Sequence, residues 1–189
     1  MTSSRRTPRF RRLPLGRPWC EAIELANGRR LLIRPIEPDD DAALRTSFGL
    51  LTAEEIRFRF LHPMTELTPA YARQLSTIDP KQAFALVVVE LDPPPVALIG
   101  GVVRAAVEPN GKEAEFAIII GRELSGFGLG EYLMRRMIEW CRKKRLHQVY
   151  GDVMLENHGM LRLTERLGFK VRELDEFPSI VRVFLNLRA

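Results

Sequence analysis

The chain has 189 residues, of which 46% are hydrophobic, and carries a formal net charge of +5. This length is typical of one domain, and the apolar content excludes a globally disordered chain. No apolar run approaches the roughly 20 residues that a membrane span requires, so we expect no membrane partner.

The first 20 residues form an arginine-rich segment. They hold six arginines and no acidic residue, whereas the rest of the chain has 23 basic and 24 acidic side chains. We expect a basic disordered tail over 1–20 and a single folded domain over 21–189. The tail composition also suits an acidic partner or an organelle presequence. The nearly neutral charge of the domain argues against a nucleic-acid-binding fold, because such a fold should show a basic face on the domain itself.

The N-terminal half predicts two strands followed by helices. Asn27-Gly28 is a tight-turn pair that predicts a hairpin of Cys20–Leu25 with Arg30–Pro35. Three helix starts follow from acidic, capping-box and Thr-Pro signals, located at Asp39–Asp41, Thr52–Glu55 and Thr68-Pro69. These helices are expected to end near Leu50, Leu61 and Ile78.

The C-terminal half predicts strands that alternate with two helices. The helices follow Gly128 and Asn157, and Gly100-Gly101 predicts a bulge. From Phe116 onward, one strand is apolar on both faces, which predicts burial in the sheet centre. The predicted strands are Ala83–Leu91, Val96–Val107, Glu113–Ile120, Leu146–Leu155, Lys170–Leu174 and Ile180–Leu187. The element order predicts an α/β domain with a mixed sheet.

A glycine-rich loop, 125–130, connects a predicted buried strand to a helix. Unpaired N–H groups and the positive end of the helix dipole would meet there, and glycines let an anion approach the backbone closely. The loop therefore suits a diphosphate, although a ligand-free strand-to-helix connection would have the same pattern. The glycine spacing of a dinucleotide fold and the Gly-Lys-Ser/Thr of an ATP-binding loop are both absent.

Three segments resemble the GNAT N-acetyltransferase superfamily over about residues 30–187. They are Ile33–Asp40, the glycine loop with its helix at Arg122–Met134, and Glu156–Met160 running to Leu167-Gly168-Phe169. Within that superfamily the chain is most similar to bacterial protein lysine acetyltransferase domains. The residues that carry this similarity are Arg57–Phe60, Leu75–Asp79 and Ala114–Ala117.

The resemblance implies a mostly antiparallel central sheet flanked by helices, in which a splayed strand pair binds acyl-CoA. It implies acetyl-CoA as the acyl-donor substrate. The implied contacts are the strand residues Phe116, Ala117, Ile118, Ile119 and Ile120, the loop residues Ser125, Gly126, Phe127, Gly128, Leu129, Gly130 and Glu131, and Asn157 and Met160. Asn157 could instead serve only as a helix cap.

Two departures from the family pattern concern the loop and the general acid. Ser125 replaces the usual Gln or Arg, and Phe127 replaces a common Arg or Lys, so the backbone amides would carry diphosphate binding. The tyrosine that many members place after the third segment, as general acid, is also missing, since residues 163–166 read Leu-Thr-Glu-Arg.

Glu115 is the candidate general base, because it lies on the strand expected to flank the thioester. Burial beside Phe116 and Ile118 would raise its pKa. Asp152 on the facing strand is the reserve candidate, and a solvent-facing Glu115 is the structural alternative. The oxyanion donor is expected to be a backbone N–H near Ile119 or Ile120.

The predicted function is transfer of an acetyl group from acetyl-CoA to a primary amine, with a protein lysine as the first acceptor considered. A small amine such as a polyamine or an antibiotic, and a non-catalytic CoA-sensing module, remain open. No pair of histidines has metal-ligand spacing, so no metal is expected. The isolated Cys20 and Cys141 suit free thiols in a reducing, cytoplasmic compartment.

Overall fold

The computed structural model describes residues 10–91 and 98–188. This part of the chain contains nine strands and five helices, in the order β1 (Phe10–Pro14), β2 (Glu21–Leu25), β3 (Arg30–Pro35), α1 (Asp41–Phe48), α2 (Ala53–Phe60), α3 (Pro69–Ser76), β4 (Ala83–Glu90), β5 (Ile99–Val107), β6 (Glu113–Ile120), α4 (Leu129–Lys143), β7 (Gln148–Met154), α5 (His158–Arg166), β8 (Lys170–Glu173) and β9 (Ile180–Asn186).

All nine described strands join one sheet in the order β1-β2-β3-β4-β5-β6-β7-β9-β8. Neighbouring strands are antiparallel except β6 and β7, which are parallel. The predicted mixed, mostly antiparallel sheet is thereby confirmed. Among the described residues no helix is both long and apolar enough to cross a membrane.

The expected disordered tail over residues 1–20 is wrong for residues 10–20. Phe10–Pro14 pairs with Glu21–Leu25 as an edge strand. Glu21 is only 3% exposed, and its buried carboxylate accepts a hydrogen bond from Arg12 Nε at 2.8 Å and another from the Tyr132 hydroxyl. Burying a carboxylate without hydrogen-bond partners is costly. The contact of Arg12 with Glu21 therefore stabilises the arginine-rich strand β1 against β2. Residues 1–9 lie outside the described part of the chain.

The predicted helix caps are present. Thr52 and Glu55 form a reciprocal capping box, with Thr52 N donating to Glu55 Oε2 at 2.7 Å. Thr68 Oγ1 accepts from Tyr71 N at 3.3 Å, with Pro69 at the first helical position. The acidic stretch before α1 first makes a short 3₁₀ turn, Pro38–Asp40, so α1 begins at Asp41.

The glycine pair in β5 makes the predicted bulge. Val88 faces Gly101 while Val89 faces Ile99, which leaves Gly100 as the extra residue. A Cβ on Gly100 would lie 2.5 Å from Leu124 Cδ1, so a larger residue there would displace the Leu124 side chain.

The helices cover both faces of the sheet. Helix α4 packs on one face, where Leu133 and Met137 belong to the same buried cluster as Phe116. Helices α1, α2 and α3 lie on the other face, which Arg104 reaches by donating to the Leu75 carbonyl at 2.9 Å. Along β6, even-numbered side chains therefore point toward α4 and odd-numbered ones, including Glu115, toward α1–α3.

Candidate functional site

Strands β6 and β7 separate from each other partway along the sheet. They pair only from Glu113 with Gln148 to Glu115 with Tyr150. Beyond that point β6 continues to pair with β5 as far as Ile120, and β7 with β9 as far as Met154. The gap explains why Ala117–Ile120 are only half-buried, against the prediction of a fully buried strand.

The gap contains backbone groups of alternate β6 residues. Gly121 N donates to the Gly100 carbonyl at 2.9 Å, and Glu108 N to the Glu113 carbonyl at 2.8 Å. Because alternate residues of a strand point their backbone groups to the same neighbour, odd-numbered residues of β6 face β5. The N–H groups of Ile118 and Ile120 therefore face the gap. The N–H of Ile119, one of the two expected oxyanion donors, faces β5 instead.

The glycine loop lies directly after the gap. Gly126 and Gly128 have φ of 83° and 85°, a left-handed conformation that favours glycine. Gly128 caps α4, and its carbonyl accepts the first helical bond from Tyr132 N at 3.1 Å. The preceding N–H groups of 129–131 have no partner within the helix. The sequence predicts that these groups bind an anion, and the position of the loop before α4 is the one that this prediction requires.

The side chains of the loop contribute little to this feature. Ser125 Oγ donates to the Arg122 carbonyl at 2.7 Å, and Phe127 is half-buried against the core. The Glu131 carboxylate accepts from Arg135 at 2.7 Å and lies 3.6 Å from Arg166. Only the backbone N–H of Glu131 is thus suited to an anion.

Asn157 caps α5, which is one of the two roles predicted for it, the other being contact with acyl-CoA. Its Oδ1 accepts a hydrogen bond from Met160 N at 3.0 Å at the start of α5. The Met160 side chain is half-buried and packs against the main core. The amide nitrogen of Asn157 donates to no described residue, so it is available to a ligand.

Glu115 lies at the point where the strands separate, on the α1–α3 face. The residue is exposed, yet partial burial of its carboxyl and the charges of Asp152 and Glu108 raise its pKa, while Arg182 and Arg59 act in the opposite direction. Within the described ranges, Glu115 has no ion pair. It is therefore a carboxylate that can accept a proton.

Asp152, the reserve candidate for the general base, is engaged in an ion pair with Arg182. Its two oxygens accept from Arg182 Nε at 2.7 Å and Nη2 at 2.8 Å. A bidentate ion pair of this kind is among the strongest side-chain interactions. Both oxygens of Asp152 are thus engaged by Arg182, whereas Glu115 forms no ion pair in the described part of the chain and stays the first candidate for the base.

A cavity of about 280 Å³, which was not predicted from the sequence, lies on the α1–α3 face. Apolar side chains form most of its wall, and Arg59 of α2 and Arg104 of β5 both line it. The available signal was Arg104 itself, the one charged residue in the stretch 99–107. The cavity reaches Ile119 and Gly121, so it adjoins the β6 end of the gap.

Comparisons with known proteins agree with this geometry. A family model described as an acetyltransferase (GNAT) domain matches residues 30–170. Acetyltransferase PA5475 of Pseudomonas aeruginosa is 32% identical over 167 residues, which cover 88% of each chain. In the part of the chain that the structure describes, no group of three or more His, Cys, Asp or Glu residues could hold a metal.

Two solved structures share the fold. The GNAT domain of S. lividans PAT matches with a TM-score of 0.76 and 19% identity, over 89% of this chain and 97% of that one. Spermidine N-acetyltransferase from Vibrio cholerae in complex with CoA and spermine matches with a TM-score of 0.64 and 20% identity, over 83% and 95% of the two chains.

Proposed function

We propose, since the chain belongs to the GNAT acetyltransferase family, that it moves an acetyl group from acetyl-CoA to a primary amine by direct attack. The observation that carries this proposal is the continuity of the gap with the glycine loop. Free N–H groups of β6 lie at one end and the first turn of α4 lies at the other. This arrangement suits a donor whose thioester lies between β6 and β7 and whose diphosphate reaches residues 126–131.

The acceptor amine must be neutral to attack. A free lysine amine has a pKa of about 10.4, so only about one in 2,500 is neutral at pH 7. In the proposed mechanism the neutral amine attacks the thioester carbon, and Glu115 takes the proton that the nitrogen loses as the N–C bond forms. The C–S bond then breaks, the leaving thiolate takes up a proton from solvent, and Glu115 returns its proton to solvent. Such base assistance is worth about 10²–10⁴-fold.

The developing oxyanion is assigned to the backbone N–H of Ile118 or Ile120. Both groups face the gap, where no strand competes for them. Donors fixed by a sheet need no reorganisation during the reaction, which makes them effective for a charge that exists only briefly.

A protein lysine is our first acceptor, because Arg57–Phe60, Leu75–Asp79 and Ala114–Ala117 resemble bacterial protein lysine acetyltransferase domains. A small amine is the second, and the spermidine N-acetyltransferase neighbour belongs to that class. The arginines of the cavity disfavour a polycation. A CoA-sensing role without turnover is the remaining alternative, since Ser125 and Phe127 supply no cationic side chain to the loop.

The test measures acetyl-CoA binding and CoA release in the wild type and in two variants. Glu115→Gln should bind acetyl-CoA like the wild type and lose about 10²–10⁴-fold in kcat/KM. Glu113→Gln is the matched control, because Glu113 lies on the same strand and is hydrogen-bonded to Asn110. Equal activity of the two variants would remove Glu115 as the base. Binding without turnover of any amine would favour the sensor role.

A further inference from the structure

The cavity on the α1–α3 face holds four arginines and three glutamates, but their charges do not cancel locally. Arg29 contacts Glu90 and lies 3.9 Å from Glu123. Glu55 is held by its capping box with Thr52 and lies 3.6 Å from Arg122. All three carboxylates are therefore occupied.

Arg59 and Arg104 remain as two cations without a carboxylate. In the described part of the chain neither forms an ion pair. Arg104 donates to the Leu75 carbonyl at 2.9 Å, and the Arg59 guanidinium lies 4.7 Å from the centre of the Phe60 ring. Burial and the neighbouring Arg59 lower the pKa of Arg104 to about 10. Two like charges in an apolar wall are unfavourable unless an anion joins them.

The pair is suitably placed to orient an acceptor. Arg104 faces Ala117 across the sheet, two residues from Glu115 on the same face of β6. At about 3.3 Å per residue, Glu115 lies about 7 Å along the strand from that position. The charge of Arg59 also acts on Glu115. An anionic group at the arginines would therefore leave an amine several bonds away free to approach Glu115.

We infer that Arg59 and Arg104 bind the carboxylate of the acceptor, so that the substrate is a primary amine that itself carries a carboxylate. Guanidinium groups match a carboxylate with paired hydrogen bonds. A free amino acid with a side-chain amine and a peptide with a C-terminal lysine share this chemistry. This inference rests on the proposed function and narrows its acceptor class.

The experiment compares lysine with cadaverine, which has the same amine and chain but no carboxylate. Wild-type kcat/KM should favour lysine by about 10–100-fold, the effect of one charge-assisted interaction. Arg59→Gln and Arg104→Gln should each reduce that preference toward unity. A partly unfolded variant would lose activity on both amines equally, so the ratio is insensitive to folding defects. Arg73→Gln, on the exposed side of α3, is the control that should keep the preference.

A second pair of substrates separates the two sources of carboxylate. A peptide ending in lysine as the free acid is compared with its amide. Preference for the acid over the amide indicates a peptide terminus, whereas turnover of lysine alone indicates a free amino acid.

Equal kcat/KM for lysine and cadaverine in an active wild type would overturn the inference while leaving the proposed function intact. If no amine is acetylated, the proposed function fails, and calorimetry of lysine and cadaverine with the CoA-loaded protein tests the inference directly. Tighter binding of lysine that is lost in Arg104→Gln would support it, and equal binding would overturn it.

Discussion

Asp152 and Arg182 face each other across β7 and β9 and form a two-pronged ion pair with N–O distances of 2.7 and 2.8 Å. Arg182 also lies over the Tyr150 ring, with its guanidinium carbon 4.3 Å from the ring centre. This pair engages both oxygens of one of the two candidate carboxylates, and the charges of both residues act on Glu115. The electrostatic surroundings of the proposed base therefore depend on a residue that does not itself react.

Replacing Asp152 by Asn should shift the acidic limb of the pH–activity profile to lower pH. The change removes the negative charge of Asp152, which raises the pKa of Glu115. It also frees Arg182, whose positive charge lowers that pKa. The remaining charged neighbours, Glu108 and Arg59, are unchanged. Because the base acts when deprotonated, a lower pKa preserves activity at lower pH. The measurement is the variant-to-wild-type ratio of kcat/KM against pH, in which ionisation of the amine cancels.

At acidic pH we expect the ratio of variant to wild-type kcat/KM to be higher than it is at high pH. Glu139→Gln provides the control, since it removes the same charge from an ion-paired carboxylate on α4. A profile that is unchanged in Asp152→Asn would indicate that Glu115 does not control the limb.

Replacing Gly128 by Ala should weaken acetyl-CoA binding at least tenfold. Gly128 has φ of 85°, and a side chain in this region costs about 1–2 kcal/mol, so the loop before α4 should rearrange. Gly168→Ala is the matched control, because Gly168 has the same φ of 85° after α5. Both variants should lose similar stability, and only Gly128→Ala should lose affinity in calorimetry. Equal affinity in the two would exclude the loop as the diphosphate site.

Asn157 allows its capping role to be separated from a ligand role. Asn157→Ala should lose about 1 kcal/mol of unfolding free energy, because the Met160 N–H loses its acceptor. Asn157→Asp keeps that acceptor and should retain the stability. If the amide nitrogen binds the donor, both variants should bind acetyl-CoA more weakly. Normal affinity of Asn157→Asp would restrict the residue to capping.

The Phe116 ring packs directly against Gly151 and leaves no room there for a side chain. A Cβ at Gly151 would lie 2.8 Å from Phe116 Cε1, so Gly151→Ala should lose about 1–3 kcal/mol in denaturant unfolding. Adding Phe116→Leu should recover part of the loss. Gly159→Ala is the control, since its Cβ would meet only Asn157 Oδ1 at 3.8 Å. A stable Gly151→Ala variant would show that β6 and β7 can move apart near the gap.

Local chemistry was enough to predict most of the elements. The capping box at Thr52, the Asn27-Gly28 turn and the bulge at Gly100-Gly101 each depend on interactions within a few residues or on a backbone conformation. The positive-φ glycines of the loop and the position of the following helix were predicted for the same reason. Glu115 was placed correctly on its strand because strand alternation is itself local.

The tertiary structure decided what depends on distant partners. Strand β1 could not be predicted from its arginines, since a buried Glu21 and the Tyr132 ring hold it in place. The pairing of β6 with β5 determines which N–H groups of β6 face the gap. Arg182, on another strand, engages the Asp152 carboxylate. Arg59 and Arg104 are 45 positions apart in the sequence, and they line one cavity because α2 packs on the sheet against β6, the neighbour of β5.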